Sequence, residues 1–163
     1  MLKKQCNIIE GAYAPAFTAQ ATSNRTITLS DYKDKKRIVL YFYPKDNTPG
    51  CTRESQDFAK QYPSFLAQHA EIFGVSSDNL ESHEMFKAKY KLPFDLITDP
   101  DGSLCKLYDV KIKSIIIKKI RSIERTTFLI DLQGIIKHIW KPVKNVPGHV
   151  DEVFKVIEEL YDQ

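Results

Sequence analysis

The 163-residue chain is 42% hydrophobic and 28% charged with a net charge of +3, a balance that suits a soluble protein folding as a single domain over 1–163. So small a net charge gives no whole-molecule argument for a nucleic-acid or membrane partner, and no stretch is long and apolar enough to span a bilayer. Three cysteines make no disulfide framework, no Cys/His spacing suits a zinc site, and free thiols fit a reducing cytoplasm.

The opening MLKKQCNIIEGAYAPAF has its only short apolar run interrupted by Glu10, so it reads neither as a secretory signal nor as a lipoprotein leader ending at Cys6. Residues 11–32 hold two short alternating pieces around Ser23-Asn24-Arg25, which predicts a hairpin. Ile38 to Tyr43 are six consecutive apolar residues, mostly β-branched or aromatic, the composition of a central strand covered on both faces. Pro44 ends it, having no N–H for a ladder.

Thr48 then stands where a helix N-cap belongs, with Pro49 at the first helical position and Cys51 among the free N–H groups of the first turn. A cysteine there faces the positive end of the helix, which favours thiolate over thiol. Taken alone, Cys51 is equally compatible with an inert core thiol, but so polar a loop is poor core material.

Beyond it, Phe58, Tyr62, Phe65 and Leu66 have helical spacing, with Pro63 expected to bend or restart the helix. Glu71 to Ser76 reads as a strand, and Asp78-Asn79 as the cap of a helix through Tyr90 with Phe86 and Tyr90 inward. Leu96 to Thr98 is a short strand, Asp99 to Gly102 a turn, and Ser103 to Tyr108 a short helix bearing Cys105. Thr126–Asp131 and Ile135–Trp140 form a hairpin through Leu132-Gln133-Gly134, and Val150, Val153, Phe154, Ile157 and Leu160 mark a last amphipathic helix opened by Gly148. Mixed strands and helices with one late antiparallel hairpin predict an α/β sandwich around a mixed sheet.

Residues 111–125, KIKSIIIKKIRSIER, hold six isoleucines and six basic residues against one Glu. As a partly buried strand the segment would show a solvated basic face; as apolar surface that no pattern hides it would be part of a homodimer contact. His69, His83, His138 and His149 are scattered without partners at ligand or triad spacing, which places them at the surface or at helix ends. No metal, haem, flavin or nucleotide motif is present, so no cofactor is expected.

Pro44, Thr48 and Cys51 resemble the Pro-x-x-x-Thr-x-x-Cys signature of peroxiredoxins, and YFYPKDNTPGCTRE is similar to their bacterioferritin comigratory protein (Q) branch. Gly11, Ala14-Pro15 and Phe17 resemble the family's opening, with Ala16 where Asp is usual. The resemblance runs from about Gly11 to Leu160 and implies a thioredoxin-like fold: a central mixed sheet flanked by helices with an N-terminal β-hairpin extension. It implies a thioredoxin-dependent peroxidase acting in antioxidant defence, which reduces hydrogen peroxide and organic hydroperoxides through a Cys51 sulfenic acid.

Carried over residue by residue, the resemblance gives Thr48 as a source of an O–H, the N–H groups of Gly50 and Cys51 as peroxide donors, and Pro44 as a shield for the sulfur. Arg125 matches the family's activating arginine, and Glu54 either holds that arginine or is a solvated first-turn carboxylate. The branch's resolving cysteine is missing: its two usual places are Gln56 and residues 79–91, which hold no cysteine. Cys105 and Cys6 remain as resolving candidates, but a one-cysteine mechanism with an external thiol, thioredoxin, glutaredoxin or a small thiol, is favoured. The alternative is a non-enzymatic redox sensor or holdase on the same fold.

Overall fold

The computed structural model describes residues 7–115 and 120–161; Cys6 and residues 116–119 of the isoleucine-rich segment lie outside the described residues. Its strands are β1 (Thr18–Ala21), β2 (Arg25–Thr28), β3 (Arg37–Phe42), β4 (Ala70–Ser76), β5 (Asp95–Thr98), β6 (Ile112–Ile115), β7 (Ile120–Ile123), β8 (Thr126–Ile130) and β9 (Ile136–Trp140). Its helices are α1 (Pro49–Ala67), α2 (Leu80–Tyr90), α3 (Ser103–Leu107) and α4 (His149–Tyr161). Seven strands form one mixed sheet in the order β2-β1-β5-β4-β3-β8-β9, and β6 and β7 make a separate hairpin. Among the described residues, no helix is long and apolar enough to cross a membrane.

β3 sits inside the sheet, parallel to β4 and antiparallel to β8, and every residue from Ile38 to Tyr43 is buried. Because successive side chains of a strand point to opposite faces, the run divides. Val39, Tyr41 and Tyr43 join Phe58 and Phe65 of α1, Phe86 of α2 and Val153 and Ile157 of α4. Ile38, Leu40 and Phe42 join Leu104 and Cys105 of α3, Tyr108, and Ile27 of β2. Both faces are thus covered, as a continuous apolar run requires.

The expected N-terminal hairpin is β1–β2, and its turn residues Ser23 and Asn24 both take positive φ, at 60° and 54°. Asn79 caps α2 by accepting the N–H of Ser82 at 2.8 Å. The late hairpin β8–β9 turns through Gly134 at φ 83°.

Several expectations are corrected. α1 does not restart at Pro63: one helix runs through it, with Pro63 exposed and the buried rings of Phe58 and Phe65 holding the helix to the sheet on either side. His83 is a core residue, 0% exposed, and His149, although it stands at a helix end as expected, is buried at 1%. The 111–125 segment, by contrast, follows its reading as partly buried strand: Ile112 pairs with Ile123 across an antiparallel hairpin, with Ile123 buried and Ile112 exposed.

Gly74 of β4 faces the ring of Tyr41: a Cβ there would lie 2.7 Å from Tyr41 Cζ and 2.8 Å from Leu96 Cδ2. The ring cannot yield, since it stacks on Phe58 at 4.7 Å and its hydroxyl is hydrogen-bonded to Ser55 at 2.9 Å. Gly74→Ala should therefore overpack the core and lower the urea-unfolding free energy by about 1–3 kcal/mol.

Candidate active site

The end of β3 delivers the chain into the loop Pro44–Thr48, and Asn47 turns it with φ 64°. Thr48 occupies the N-cap position with extended backbone, and Pro49 opens the helix. The Thr48 side chain does not cap: its hydroxyl donates to the Lys45 carbonyl at 2.9 Å. Its hydrogen is therefore engaged, and what it offers outward is an acceptor oxygen rather than the O–H that sequence reasoning gave it.

Cys51 lies in the first turn of α1 and is 1% exposed. Its sulfur accepts from Nη2 of Arg125 at 3.4 Å, while Nη1 of the same guanidinium donates to Glu54 Oε1 at 2.8 Å. The guanidinium thus bridges two side chains on one helix, and its planar fork makes that geometry available where an ammonium would not. It arrives from the residue immediately before β8, whose register against β3 is fixed from Ile38–Ile130 to Phe42–Thr126.

Gly50 lies beside the guanidinium. A Cβ there would come within 3.1 Å of Arg125 Nη2, so the absence of a side chain at Gly50 leaves the arginine its place beside the sulfur.

Glu54 is fully buried, and its second oxygen, Oε2, has no hydrogen-bond partner. Burial pushes its carboxyl up from an ordinary 4.5 to about 7, outweighing the pull of Arg125 in the other direction. For Arg125 burial acts against the charge, but Glu54 and Cys51 more than offset it and the net shift is upward. His149 Nε2 lies 3.9 Å from Glu54 Oε2 and 2.9 Å from the Thr127 hydroxyl. Burial, reinforced by the Arg125 charge, lowers His149 to about 4.

The loop also has a buried anchor. Asp46 takes the Tyr43 hydroxyl on Oδ1 at 2.6 Å and the Ser82 hydroxyl on Oδ2 at 2.9 Å, and Oδ2 meets His83 Nδ1 at 2.7 Å. The Asp46 N–H donates to Asp78 Oδ2 at 2.9 Å. Asp46, Asp78 and His83 place ligand-type atoms within 4.8 Å of one another, but these atoms are engaged in the hydrogen bonds just described.

Of the residues singled out in the sequence, Gly50, Cys51, Glu54 and Arg125 come together, and half-buried Pro44 and Thr48 bound the loop that leads to them. Cys105 does not join them. It sits in the core on the other face of the sheet, its thiol pushed up by burial and by the nearby Asp99. His83 and His149 were missed, although each begins an inward helical stripe, His83 with Phe86 and Tyr90, and His149 with Val153 and Ile157.

The AhpC/TSA family profile matches residues 11–139. Peroxiredoxin Bcp of Bacillus subtilis is 44% identical over 154 residues, 94% of this chain and 97% of its own length. A mutant of Xylella fastidiosa PrxQ superposes with TM-score 0.87 at 37% identity, covering 95% of this chain and 98% of that one. The Xanthomonas campestris bacterioferritin comigratory protein superposes with TM-score 0.80 at 37% identity, covering 88% and 90%; its trapped intermediate and ligand complexes concern alkyl peroxide reduction. These likenesses carry the expected thioredoxin-like architecture.

Glu54 and His149 give opposite pH dependences. The folded chain holds a proton on Glu54 up to about 7 that the unfolded chain loses near 4.5, so stability falls as pH rises through that window. The folded chain lacks the proton that unfolded His149 holds below 6.5, so stability rises with pH from about 4 to 6.5. Urea unfolding across this range should show stability climbing with pH more steeply in Glu54→Gln than in wild type, and declining in His149→Gln relative to wild type.

Proposed function

Since this chain belongs to the AhpC/TSA family and is a thiol-dependent peroxidase of its Bcp/PrxQ branch, we propose that Cys51 is its nucleophile and Arg125 the group that activates it. The observation that carries this reading is the single guanidinium that bridges the Cys51 sulfur and the Glu54 carboxylate at the start of α1.

The Cys51 thiolate attacks the distal oxygen of a hydroperoxide. The S–O bond forms as the O–O bond breaks, and the alkoxide or hydroxide that leaves takes up a proton as alcohol or water. Cys51 is then a sulfenic acid. Charge leaves the sulfur for the departing oxygen, and Arg125 can follow it without losing its own proton. The N–H groups of Gly50 and Cys51 are the further donors of the reading, and the Thr48 oxygen accepts the O–H of the incoming peroxide. Pro44, half-buried at the end of β3, limits water around the sulfur.

Return to the thiol needs a second sulfur. With Gln56 exposed on α1 and Cys105 across the sheet, an external thiol of the thioredoxin, glutaredoxin or small-molecule kind attacks the sulfenate, releasing water. A mixed disulfide forms, which a further thiol exchanges away. The free thiols Cys51 and Cys105 suit a reducing cytoplasm as the compartment. Self-association through the 111–125 hairpin belongs to the same reading, and exposed Ile112 at its base is apolar surface that such a contact would cover.

Intact-mass analysis after one equivalent of peroxide, with thiol trapping, tests the assignment. Cys51→Ser should abolish peroxide consumption, and Cys105→Ser and Cys6→Ser should keep a trappable sulfenate. Loss of two hydrogens in wild type, prevented by either of the latter changes, would instead make that residue the resolving cysteine. Arg125→Lys should slow the peroxide step by about tenfold or more, in keeping with the loss of one oriented donor. A monomer by sedimentation at high micromolar concentration would exclude the self-association.

A further inference from the structure

Asp46 lies in the loop between Pro44 and Thr48, yet it is buried, and the imidazole it meets is 0% exposed. His83 Nε2 stands 3.0 Å from the carbonyl oxygen of Ile97 on β5. A carbonyl only accepts, so Nε2 carries a hydrogen. On the other side Nδ1 stands 2.7 Å from an Asp46 oxygen that already accepts the Ser82 hydroxyl. Two lone pairs at that distance in a dry site would repel, so a proton lies between Nδ1 and Oδ2, and the bond is charge-assisted.

Replacing a buried pair of this kind by apolar side chains is often neutral or favourable for stability, so stability alone is a weak reason to have one. What this pair does have is a place: among the described residues, the side-chain hydrogen bonds that tie the Pro44–Thr48 loop to α2 all run through Asp46. Cys51 is held from elsewhere, by Arg125.

We propose that His83 is a positioning residue for the peroxide reaction, fixing through its shared proton with Asp46 the loop that presents the Thr48 oxygen to the peroxide, while the thiolate itself stays with Arg125. The inference rests on the reading of Cys51 as the nucleophile. It divides the two supports of the chemistry between two parts of the fold. α2 and β5 set where the peroxide sits, and the residue ahead of β8 holds the sulfur.

The division is measurable on the full-length reduced protein. Single-turnover oxidation of Cys51 by hydrogen peroxide needs both supports, whereas alkylation of Cys51 by iodoacetamide needs the thiolate alone. An asparagine amide nitrogen can occupy the place of a histidine Nδ1, and a glutamine amide nitrogen that of Nε2. His83→Gln and His83→Ala should slow the peroxide step about 10- to 100-fold, the scale set by a displacement on the order of 1 Å, and leave alkylation within about twofold of wild type. His83→Asn, which keeps the donor to Asp46, should restore most of the peroxide rate. Asp46→Ala should reproduce His83→Gln, and the double variant should be no slower than either alone.

Peroxide and alkylation rates that fall together in these variants, or His83→Gln as fast as His83→Asn, would overturn the positioning role. The underlying reading fails separately, by peroxide consumption that survives in Cys51→Ser.

Discussion

A single guanidinium shared between a sulfur and a carboxylate organises this molecule. Arg125 is the cation that touches both Cys51 and Glu54, and Glu54 is wholly buried. If both partners were ionised, one positive charge would serve two negative ones in a dry environment. Nearby His149 adds no second cation at neutral pH, since burial and Arg125 hold it near 4. The upward displacement of Glu54 to about 7 follows from its burial, against the pull of Arg125 and with the Asp57 charge adding to it, and its Oε2 has no hydrogen-bond partner. A protonated Glu54 still accepts from Arg125 through Oε1 and leaves more of the positive charge to the sulfur. The carboxyl thus orients the arginine in either state and competes with the thiolate for it in only one.

The geometry behind this pairing was partly legible in the sequence. β3 and the start of α1 announce themselves locally, through an unbroken apolar run, a terminating proline, and a Thr-Pro step at a helix start. That local signal reaches Cys51 and stops there. Arg125 lies 74 residues further along the chain, and no periodicity links it to Cys51. It was reached through family resemblance, and what places it is the antiparallel register of β8 on β3.

The buried histidines were illegible for a related reason. Asp46 and His83 are 37 residues apart, and each looks like a surface residue in its own neighbourhood, one in a polar loop and one between charged helix positions. Only the parallel pairing of β3 with β4, which returns the chain beside itself before α2 begins, brings them together. Pro63 misled in the opposite direction. A proline removes one helix hydrogen bond locally, but the packing of Phe58 and Phe65 extends across several turns and decides the outcome.

The alternation of β3 also bears on how the proposed cycle closes. The strand that places Tyr41 and Tyr43 over α1 turns Ile38, Leu40 and Phe42 to the other core, and Cys105 belongs with the latter. A disulfide requires Cα atoms within about 7 Å, and these cysteines belong to cores on opposite faces of the sheet. Burial of Cys51 imposes a second condition. A peroxide is small enough to reach a sulfur that is 1% exposed with little displacement, but a protein thiol is not. In the proposed cycle reduction by a protein thiol therefore demands more movement of the first turn of α1 than oxidation does. The bond network that resists such movement is divided: Asp46 fastens the loop to α2, and Arg125 fastens the helix to the start of β8. The sulfur touches Arg125 and makes no hydrogen bond to the groups of the Asp46 anchor. In this reading the helix end is free to open while the loop keeps its place.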